Sequence, residues 1–154
     1  MISPRWMILL CFSLISAENQ DEGWTPFNGH LYYFSETTAD WQTSRDDCLS
    51  KGADLVVIND NEENTFVVDF LRKAWIGLYK EGDTWTWVDG SILTPGDSFW
   101  HPGQPNNVGN QEDRAEIGNH DYVDTIDNVV FFHNKWNDAP GSTSNYWICE
   151  KEAV

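Results

Sequence analysis

The amino-acid sequence predicts a single domain of the α+β class, and three observations support that class. Its 154 residues suit one ordinary domain and leave no room for two large ones. Of these residues 40% are hydrophobic, and nine are Trp, which is enough apolar material for a real core. Two helical patterns come early, before residue 72, whereas the rest of the chain alternates between short strand-like runs and turns.

The early part of the domain predicts strand, helix, strand and helix in that order. Residues 30–34 form a short aromatic run that is typical of a strand. A helix is predicted over 38–51 and ends at Gly52, because glycine tolerates the positive φ that follows many helices. Residues 55–58 are a β-branched run, and residues 59–61 then offer N-capping side chains. The second helix carries four apolar residues at helical spacing: Phe66, Val67, Phe70 and Leu71.

The later part predicts strands over 75–78, 85–88 and 146–149. The tryptophans in and near these runs are expected to pack in the core rather than to form a platform for a ligand: Trp75, Trp85, Trp87 and Trp136. Residues 91–145 are rich in Gly, Pro, Asn and Asp. A stretch of that length is too long for a passive connection in one domain, so we expect it to carry the function.

The chain is strongly acidic, with 25 Asp and Glu against 9 Lys and Arg and a formal net charge of −16. Such an excess repels phosphate backbones and anionic lipid, which disfavours nucleic-acid binding and binding to a membrane surface. The same excess attracts divalent cations.

The first seventeen residues predict a signal peptide. Arg5 supplies a positive charge, residues 6–15 are apolar, and Ala17 is the small residue that a signal peptidase prefers. The apolar run is far shorter than the ~20 residues that span a bilayer, so a membrane anchor is disfavoured. We therefore expect a secreted, extracellular protein with a short lead over 18–23 and one domain over 24–154.

Cleavage after residue 17 would also remove Cys11 and leave Cys48 and Cys149 as an even pair. In an oxidising compartment such a pair predicts one disulfide. A free reactive thiol is the alternative, and it is disfavoured because neither cysteine has a His, Lys or Arg directly beside it in the sequence to activate it.

Oxygen-bearing side chains gather at two places in the region 91–145. They lie in Gln104-Pro105-Asn106-Asn107 with Glu112-Asp113, and in Trp136-Asn137-Asp138. Hard oxygen donors of this kind suit Ca²⁺, whereas Zn²⁺ and copper prefer His or Cys. A cis bond before Pro105 would turn the side chains of Gln104 and Asn106 toward one point. Asn- and Asp-rich loops are more often solvated turns than metal sites, so the spacing alone leaves both interpretations open.

Seven short motifs follow one another along the chain. They are Gly23-Trp24, Cys48 followed by Gly52 and Leu55, Trp75-Ile76-Gly77-Leu78, Gln104-Pro105-Asn106, Glu112-Asp113, Trp136-Asn137-Asp138 and Cys149. In these motifs and in their order the chain resembles the C-type lectin-like domain family. The resemblance implies two helices flanking small antiparallel sheets, with a long loop region that binds Ca²⁺. It also supports a bond between Cys48 and Cys149.

Carried over residue by residue, the resemblance implies one site for metal and sugar. Its Ca²⁺ ligands would be the side chains of Gln104, Asn106, Glu112, Asn137 and Asp138, with the Asp138 main-chain carbonyl as a further oxygen. In the family, two vicinal hydroxyls of a sugar complete the coordination of the ion, while the same side chains exchange hydrogen bonds with those hydroxyls. The resemblance therefore implies calcium-dependent carbohydrate binding through these five residues.

The preferred sugar is left open by the motif at residues 104–106. Mannose-type members of the family usually read Glu-Pro-Asn and galactose-type members Gln-Pro-Asp, whereas this chain reads Gln-Pro-Asn. One carboxylate has become an amide, so we expect weaker Ca²⁺ binding. Galactose-type members also tend to place a Trp a few residues later, where Val108 and Gly109 stand here. These features favour mannose-like over galactose-like ligands.

Two disulfides that are common in the family are missing, each at both ends. Leu31 stands where one Cys is usual, and the partner position near Gln20 has none; Arg114 and Gly141 replace both ends of a loop disulfide. We expect a more mobile long loop that Ca²⁺ stiffens on binding.

The span 114–136 is longer than in compact members of the family. Its extra residues, over about 119–135, are expected to form a hairpin, and such an insertion could displace Asn137. Asp121, Asp124 and Asp127 recur at a period of three, which does not match an EF-hand loop, so we expect a solvated face there. An accessory Ca²⁺ site is not expected, because Asn107 replaces an acid of the family pattern.

The sequence thus predicts a secreted lectin that binds glycans on microbial or mucosal surfaces, with a role in innate immunity and without catalysis. Because one sugar contact is weak, we expect a non-covalent homo-oligomer. One alternative is a lectin-like domain that binds a protein partner or ice instead of sugar. A second alternative is an enzyme that uses Glu112 and Asp113 as paired acids, and adjacent acids in a metal loop are better explained as a ligand and its neighbour.

Overall fold

The computed structural model describes residues 21–70, 72–126 and 129–154, and for 119–126 and 129–134 it describes the backbone alone. The predicted signal peptide at 1–17, residues 18–20 of the predicted lead, Leu71 and Asp127 lie outside the described residues. In the part of the chain that is described, no helix is both long and apolar enough to cross a bilayer.

The two ends of the domain lie side by side in one sheet. β1 (Trp24–Phe27) pairs with β2 (His30–Phe34), and β2 pairs with β8 (Tyr146–Glu152), both antiparallel. The sequence pattern missed β1, which contains Pro26. As the outermost strand of its sheet, β1 tolerates a residue that lacks a main-chain N–H.

The sheet continues from β8 to β4 (Ala74–Glu81), which runs parallel to β8 at Ala74 and Trp75. β4 also pairs antiparallel with β5 (Thr84–Trp87) and β6 (Arg114–Ile126). β6 then forms an antiparallel hairpin with β7 (Val129–Ala139). The predicted hairpin is therefore confirmed, and the strands at 114–126 and 129–139 make the irregular stretch shorter than the composition of 91–145 indicates.

The first helix is shorter than predicted. α1 spans Trp41–Ser50 and not 38–51, because Asp40 is the N-cap, with its Oδ1 accepting from Thr43 N at 2.7 Å. Ala39 is extended and bridges to Asn145. At the other end Gly52 has a φ of +70°, as predicted.

The second helix and the strand before it also end earlier than predicted. α2 spans Asn61–Val68 after the N-cap Asp60, so Phe70 lies beyond the helix. β3 is limited to Asp54–Leu55, which pairs with β8, and the prediction of a strand over 55–58 is wrong beyond Leu55. The next residue bonds two strands at once: Val56 N donates to Ile148 O at 2.9 Å and Val56 O accepts from Gly77 N at 2.8 Å.

The core lies between the sheet and the two helices, and it contains most of the predicted tryptophans. Trp136 is fully buried, Trp87 is 4% exposed, and Trp85 packs partly buried against the same core. Trp75 is also fully buried, in the cluster around the disulfide. The Trp136 ring meets other aromatic rings edge-on, such as Trp87 at 5.4 Å between centroids.

A second apolar cluster surrounds the disulfide. Cys48 of α1 and Cys149 of β8 are bonded and fully buried, so the predicted pairing is present and ties the first helix to the last strand. The cluster also contains Trp41, Leu55 and Trp147.

Candidate functional site

The loop that carries the first predicted motif begins beside Trp136. His101 N donates to Trp136 O at 2.8 Å, and Trp136 N donates to Phe99 O at 2.9 Å. Because Trp136 is buried between other aromatic rings, this junction is anchored in the core. Gln104 and the residues after it are thereby brought next to the end of β7, where Asn137 and Asp138 follow Trp136.

Asp138 joins the two predicted segments. Its side chain is fully buried, with Oδ1 accepting from Asn106 N at 3.0 Å and Oδ2 accepting from Asn107 N at 2.7 Å. Hydrogen bonds to an ionised carboxylate are roughly twice as strong as neutral ones. A single buried carboxylate therefore holds two loop amides that lie 31 and 32 residues away in the sequence.

Glu112 is held against the same loop. Its Oε2 accepts from Val108 N at 2.8 Å, and Asn106 Oδ1 accepts from the same N–H at 3.2 Å. Glu112 N in turn donates to Asn107 Oδ1 at 3.2 Å. The peptide bond before Pro105 is cis, the isomer whose effect the sequence analysis considered. The side chains of Asn106 and Glu112 thus share one donor.

Asn137 is held by a partner that the sequence interpretation missed. Its Nδ2 donates to Glu116 Oε1 at 3.0 Å and to Asp138 O at 2.7 Å. In the β6–β7 hairpin Glu116 lies directly opposite Asn137. Glu116 therefore fixes the orientation of the Asn137 amide, with Nδ2 facing the Glu116 carboxylate.

Glu116 is a buried carboxylate at 2% exposure, and it serves several donors. Besides Asn137, its partners are Asn145 Nδ2 at 2.6 Å and Lys73 Nζ at 3.5 Å. A buried charge is tolerated only when it is paired and hydrogen-bonded, which these contacts accomplish. The sequence held one usable signal, namely an acid flanked directly by the apolar residues Ala115 and Ile117.

The electrostatics of the site are those of gathered carboxylates. Burial raises the pKa of Glu112, and the negative charges of Asp138 and Glu116 raise it further, against the opposing effect of the Val108 N–H. A bound cation would relieve this repulsion, because it favours the ionised form of every carboxylate near it.

The available donors are oxygens. In the described parts of the chain, no three His, Cys, Asp or Glu side chains come close enough to hold a metal by themselves, so amide and main-chain oxygens would have to contribute. One such oxygen stands out: Gln104 Oε1 is buried without a hydrogen-bond partner. Mixed carboxylate, amide and carbonyl oxygens are the ligands that Ca²⁺ takes, so the residues present fit this ion.

The two adjacent acids of the enzyme alternative take separate partners. Glu112 contacts Val108 N, whereas Asp113 Oδ2 pairs with Arg114 Nη1 at 3.0 Å and the Asp113 main-chain oxygen accepts from Lys80 N at 2.9 Å. The side chains of the predicted solvated face, Asp121 and Asp124, lie outside the described set.

Comparison with known proteins adds an independent result. The family model of the Lectin C-type domain matches residues 37–151. The CD209 antigen of Nomascus concolor is 39% identical over 138 residues, which cover 85% of this chain and 30% of that relative. This chain thus spans less than a third of the length of that relative.

Two solved structures share the fold. The C-type lectin domain of murine dendritic cell inhibitory receptor 2, solved in complex with N-glycan, has a TM-score of 0.72 at 27% identity and covers 86% of this chain and 98% of its own. A calcium-independent type II antifreeze protein has a TM-score of 0.70 at 25% identity, covering 86% of this chain and 93% of its own. From the match to the family model, the identity to its relatives and the shared architecture, we conclude that the chain belongs to the C-type lectin domain family.

Proposed function

We propose that this domain binds carbohydrate through a Ca²⁺ ion held by Gln104, Asn106, Glu112, Asn137 and Asp138. One observation carries the proposal: the buried Asp138 carboxylate holds Asn106 and Asn107 by their main-chain amides, and so brings the loop 104–112 against the end of β7. The two halves of the donor set belong to separate segments of chain, and this tie is what holds them together. The glycan-bound structure of a related domain supports the same function.

The chemistry divides between the ion and the side chains. When bound, Ca²⁺ supplies a strong electrostatic partner for two vicinal hydroxyl oxygens of a sugar. The carboxylate of Glu112 accepts hydrogen bonds from such hydroxyls, and the amides of Gln104 and Asn106 both donate and accept. Asn137 offers its Oδ1, because its Nδ2 already donates to Glu116 and to Asp138 O. The buried Asp138 carboxylate would hold the ion and the loop rather than contact the sugar. Since an amide can present either end, Gln104, whose Oε1 has no hydrogen-bond partner, allows more than one hydroxyl arrangement.

The charge of the site determines how strongly it can hold the ion. Only Glu112 and Asp138 among the five side chains are acids, which predicts weaker Ca²⁺ binding than a site with three carboxylates. Glu116 adds a buried negative charge behind Asn137, and Lys73 only partly offsets it at 3.5 Å with a half-exposed side chain. We therefore propose that Glu116 supports metal binding without touching the metal.

For the sugar we propose mannose-like ligands with a pair of equatorial hydroxyls. Val108 is 64% exposed at the loop position where a stacking aromatic ring would favour galactose. An aliphatic side chain there offers apolar contact but no ring face. Galactose-like ligands are the alternative that the same experiment tests.

The proposal predicts retention of the protein on immobilised mannose in the presence of Ca²⁺, and its release by a chelator or by free mannose. Glu112→Gln should lower the apparent Ca²⁺ affinity about tenfold, equivalent to about 1.4 kcal/mol, because it removes one of two ligand charges. Titration calorimetry with Ca²⁺ measures this change.

Glu36→Gln is the matched control, since it makes the same chemical change at an exposed position between β2 and α1. It should leave both retention and Ca²⁺ affinity unchanged. Retention that survives the chelator, or equal Ca²⁺ affinity of the Glu112→Gln and wild-type proteins, contradicts the proposal. Preferential retention on galactose contradicts only the choice of sugar.

Ice binding is a second candidate, because the antifreeze protein described above has nearly the same TM-score as the glycan-bound lectin domain. It predicts thermal hysteresis that persists in the presence of a chelator, together with no retention on either sugar. A protein partner in place of sugar predicts binding that free mannose does not displace.

We further propose that the protein is secreted after cleavage behind Ala17 and acts on microbial or mucosal glycans as a non-covalent oligomer. A single sugar contact of millimolar affinity contributes only about −4 kcal/mol, so several domains acting together would be needed for firm binding. N-terminal sequencing of protein recovered from the medium of expressing cells should begin at Glu18, and recovery of an intact leader contradicts this proposal.

A further inference from the structure

Arg114 lies where both segments of the candidate site join the sheet. It is the first residue of β6 and follows Glu112 by two positions. Within the sheet it pairs with Ala139, which directly follows Asp138, and with Tyr79 of β4. Its side chain therefore starts from the base of the loop that carries Gln104, Asn106 and Glu112.

The guanidinium group of Arg114 stacks on aromatic rings. Its Cζ lies 4.6 Å from the centroid of the Trp41 ring and 5.8 Å from that of Tyr79. Nη1 donates to the main-chain oxygen of Asp113 and pairs with its carboxylate, both at 3.0 Å. Nε is buried without a hydrogen-bond partner, so stacking and the contacts of Nη1 are what hold the group in place.

Trp41 is a rigid base for this stack. Its side chain is 3% exposed, and its indole Nε1 donates to Ile76 O at 3.0 Å in the central strand. Its main-chain N donates to Gly141 O at 2.9 Å, three residues after Asp138. A Cβ atom built on Gly141 would lie 3.1 Å from Arg114 Cγ, so the arginine side chain passes directly over this glycine.

We propose that Arg114 is a positioning residue that holds the base of the site together. We call its contacts with Trp41 and Gly141 the clasp. By stacking on Trp41 and passing over Gly141, Arg114 holds the segment 112–113 against the turn that follows Asp138. This inference rests on the proposed calcium-dependent function.

The clasp matters because Asp138 holds the loop only at Asn106 and Asn107, and the part of the loop that leads to Glu112 is held by weaker contacts. The hydrogen bonds among Asn106, Val108 and Glu112 are solvent-exposed, and segments of this kind open at low free energy. If the binding-competent arrangement is populated only part of the time, the apparent affinity falls by that fraction. Loss of one partly buried cation–π stack therefore corresponds to an apparent Ca²⁺ affinity about fivefold weaker.

The test compares Arg114→Ala with Arg45→Ala. Arg45 also lies over the Trp41 ring, at 5.8 Å, but it pairs with Asp54 and not with the loop. Ca²⁺ affinity is measured by calorimetry, and hydrogen exchange of residues 104–113 is measured with no Ca²⁺ present. Arg114→Ala should weaken affinity about fivefold and speed exchange in the loop, whereas Arg45→Ala should change neither.

A disulfide between positions 114 and 141 tests whether the site needs these two segments held together or needs the positive charge of Arg114. The contact between Gly141 and Arg114 Cγ indicates that Cβ atoms at 114 and 141 lie within the range of a disulfide. The oxidised Arg114→Cys/Gly141→Cys protein should recover wild-type affinity and slow exchange, and the Arg114→Ser/Gly141→Ser protein should not.

Unchanged affinity and unchanged exchange in Arg114→Ala overturn the clasp. So does a cross-linked protein, verified by mass, that binds as weakly as the double-serine protein. If the wild-type protein binds no Ca²⁺ at all, the proposed function fails, and the exchange experiment without metal still decides whether Arg114 holds the loop.

Discussion

Asp138→Ala should abolish calcium-dependent retention on mannose and lower the free energy of unfolding by about 3 kcal/mol, because it removes two charge-assisted hydrogen bonds from a buried position. The Asp138 carboxylate is fully buried, and the main-chain amides of Asn106 and Asn107 donate to its two oxygens. Without it, the loop 104–112 loses its tie to β7 and the proposed metal loses a charged ligand.

Asp138→Asn separates these two losses. The amide keeps one oxygen that can accept from a loop N–H, so the loop should stay closer to its native position than in Asp138→Ala. Ca²⁺ binding should still fall strongly because the charge is gone. Urea unfolding reports the stability, and calorimetry reports the Ca²⁺ affinity. Wild-type retention of Asp138→Ala on mannose would refute both the site and the central role of this carboxylate.

Replacing Cys48 and Cys149 together by alanine should lower the free energy of unfolding by roughly 4 to 5 kcal/mol in the chain-entropy treatment, the largest stability effect that we expect for this chain. The bond closes a loop over a sequence separation of 101 residues and joins α1 to β8 inside a buried cluster. Opening it gives the unfolded chain much more freedom and leaves a small void beside Trp41 and Leu55.

Chemical unfolding of the double variant measures this loss. Below its transition the variant should still bind Ca²⁺, because neither cysteine belongs to the donor set. A stability loss below about 1 kcal/mol would show that packing, rather than the cross-link, ties α1 to β8. Loss of Ca²⁺ binding in the folded variant would show instead that the cross-link helps to shape the site.

Local sequence signals predicted much of this fold because they depend on near neighbours. Gly52 ends α1 with a positive φ, and the carboxylates of Asp40 and Asp60 cap helices through amides three residues away. The errors in element boundaries arise because such local signals do not report contacts with residues far away in the sequence. The helix predicted from residue 38 starts later because Ala39 is extended and bridges to Asn145, a partner that lies far away in the sequence.

The candidate site likewise combines features that the sequence predicts with contacts that only the structure shows. Its chemistry follows from the residues themselves, since the oxygen donors at Gln104, Asn106, Glu112, Asn137 and Asp138 are hard ligands wherever they lie. The sequence could not show that Asp138 hydrogen-bonds the main chain of the loop, or that Glu116 lies behind Asn137. Both contacts depend on the register of the β6–β7 hairpin.

The sequence by itself therefore determined the class of the domain, the cysteine pair and the kind of ion that the donors suit. Tertiary structure alone decided which donors meet, which carboxylate is buried behind them and that Arg114 stacks on Trp41 at the base of the loop. The physical reason is that residue type sets what a side chain can bind. Strand pairing and core packing between distant segments set where that side chain lies.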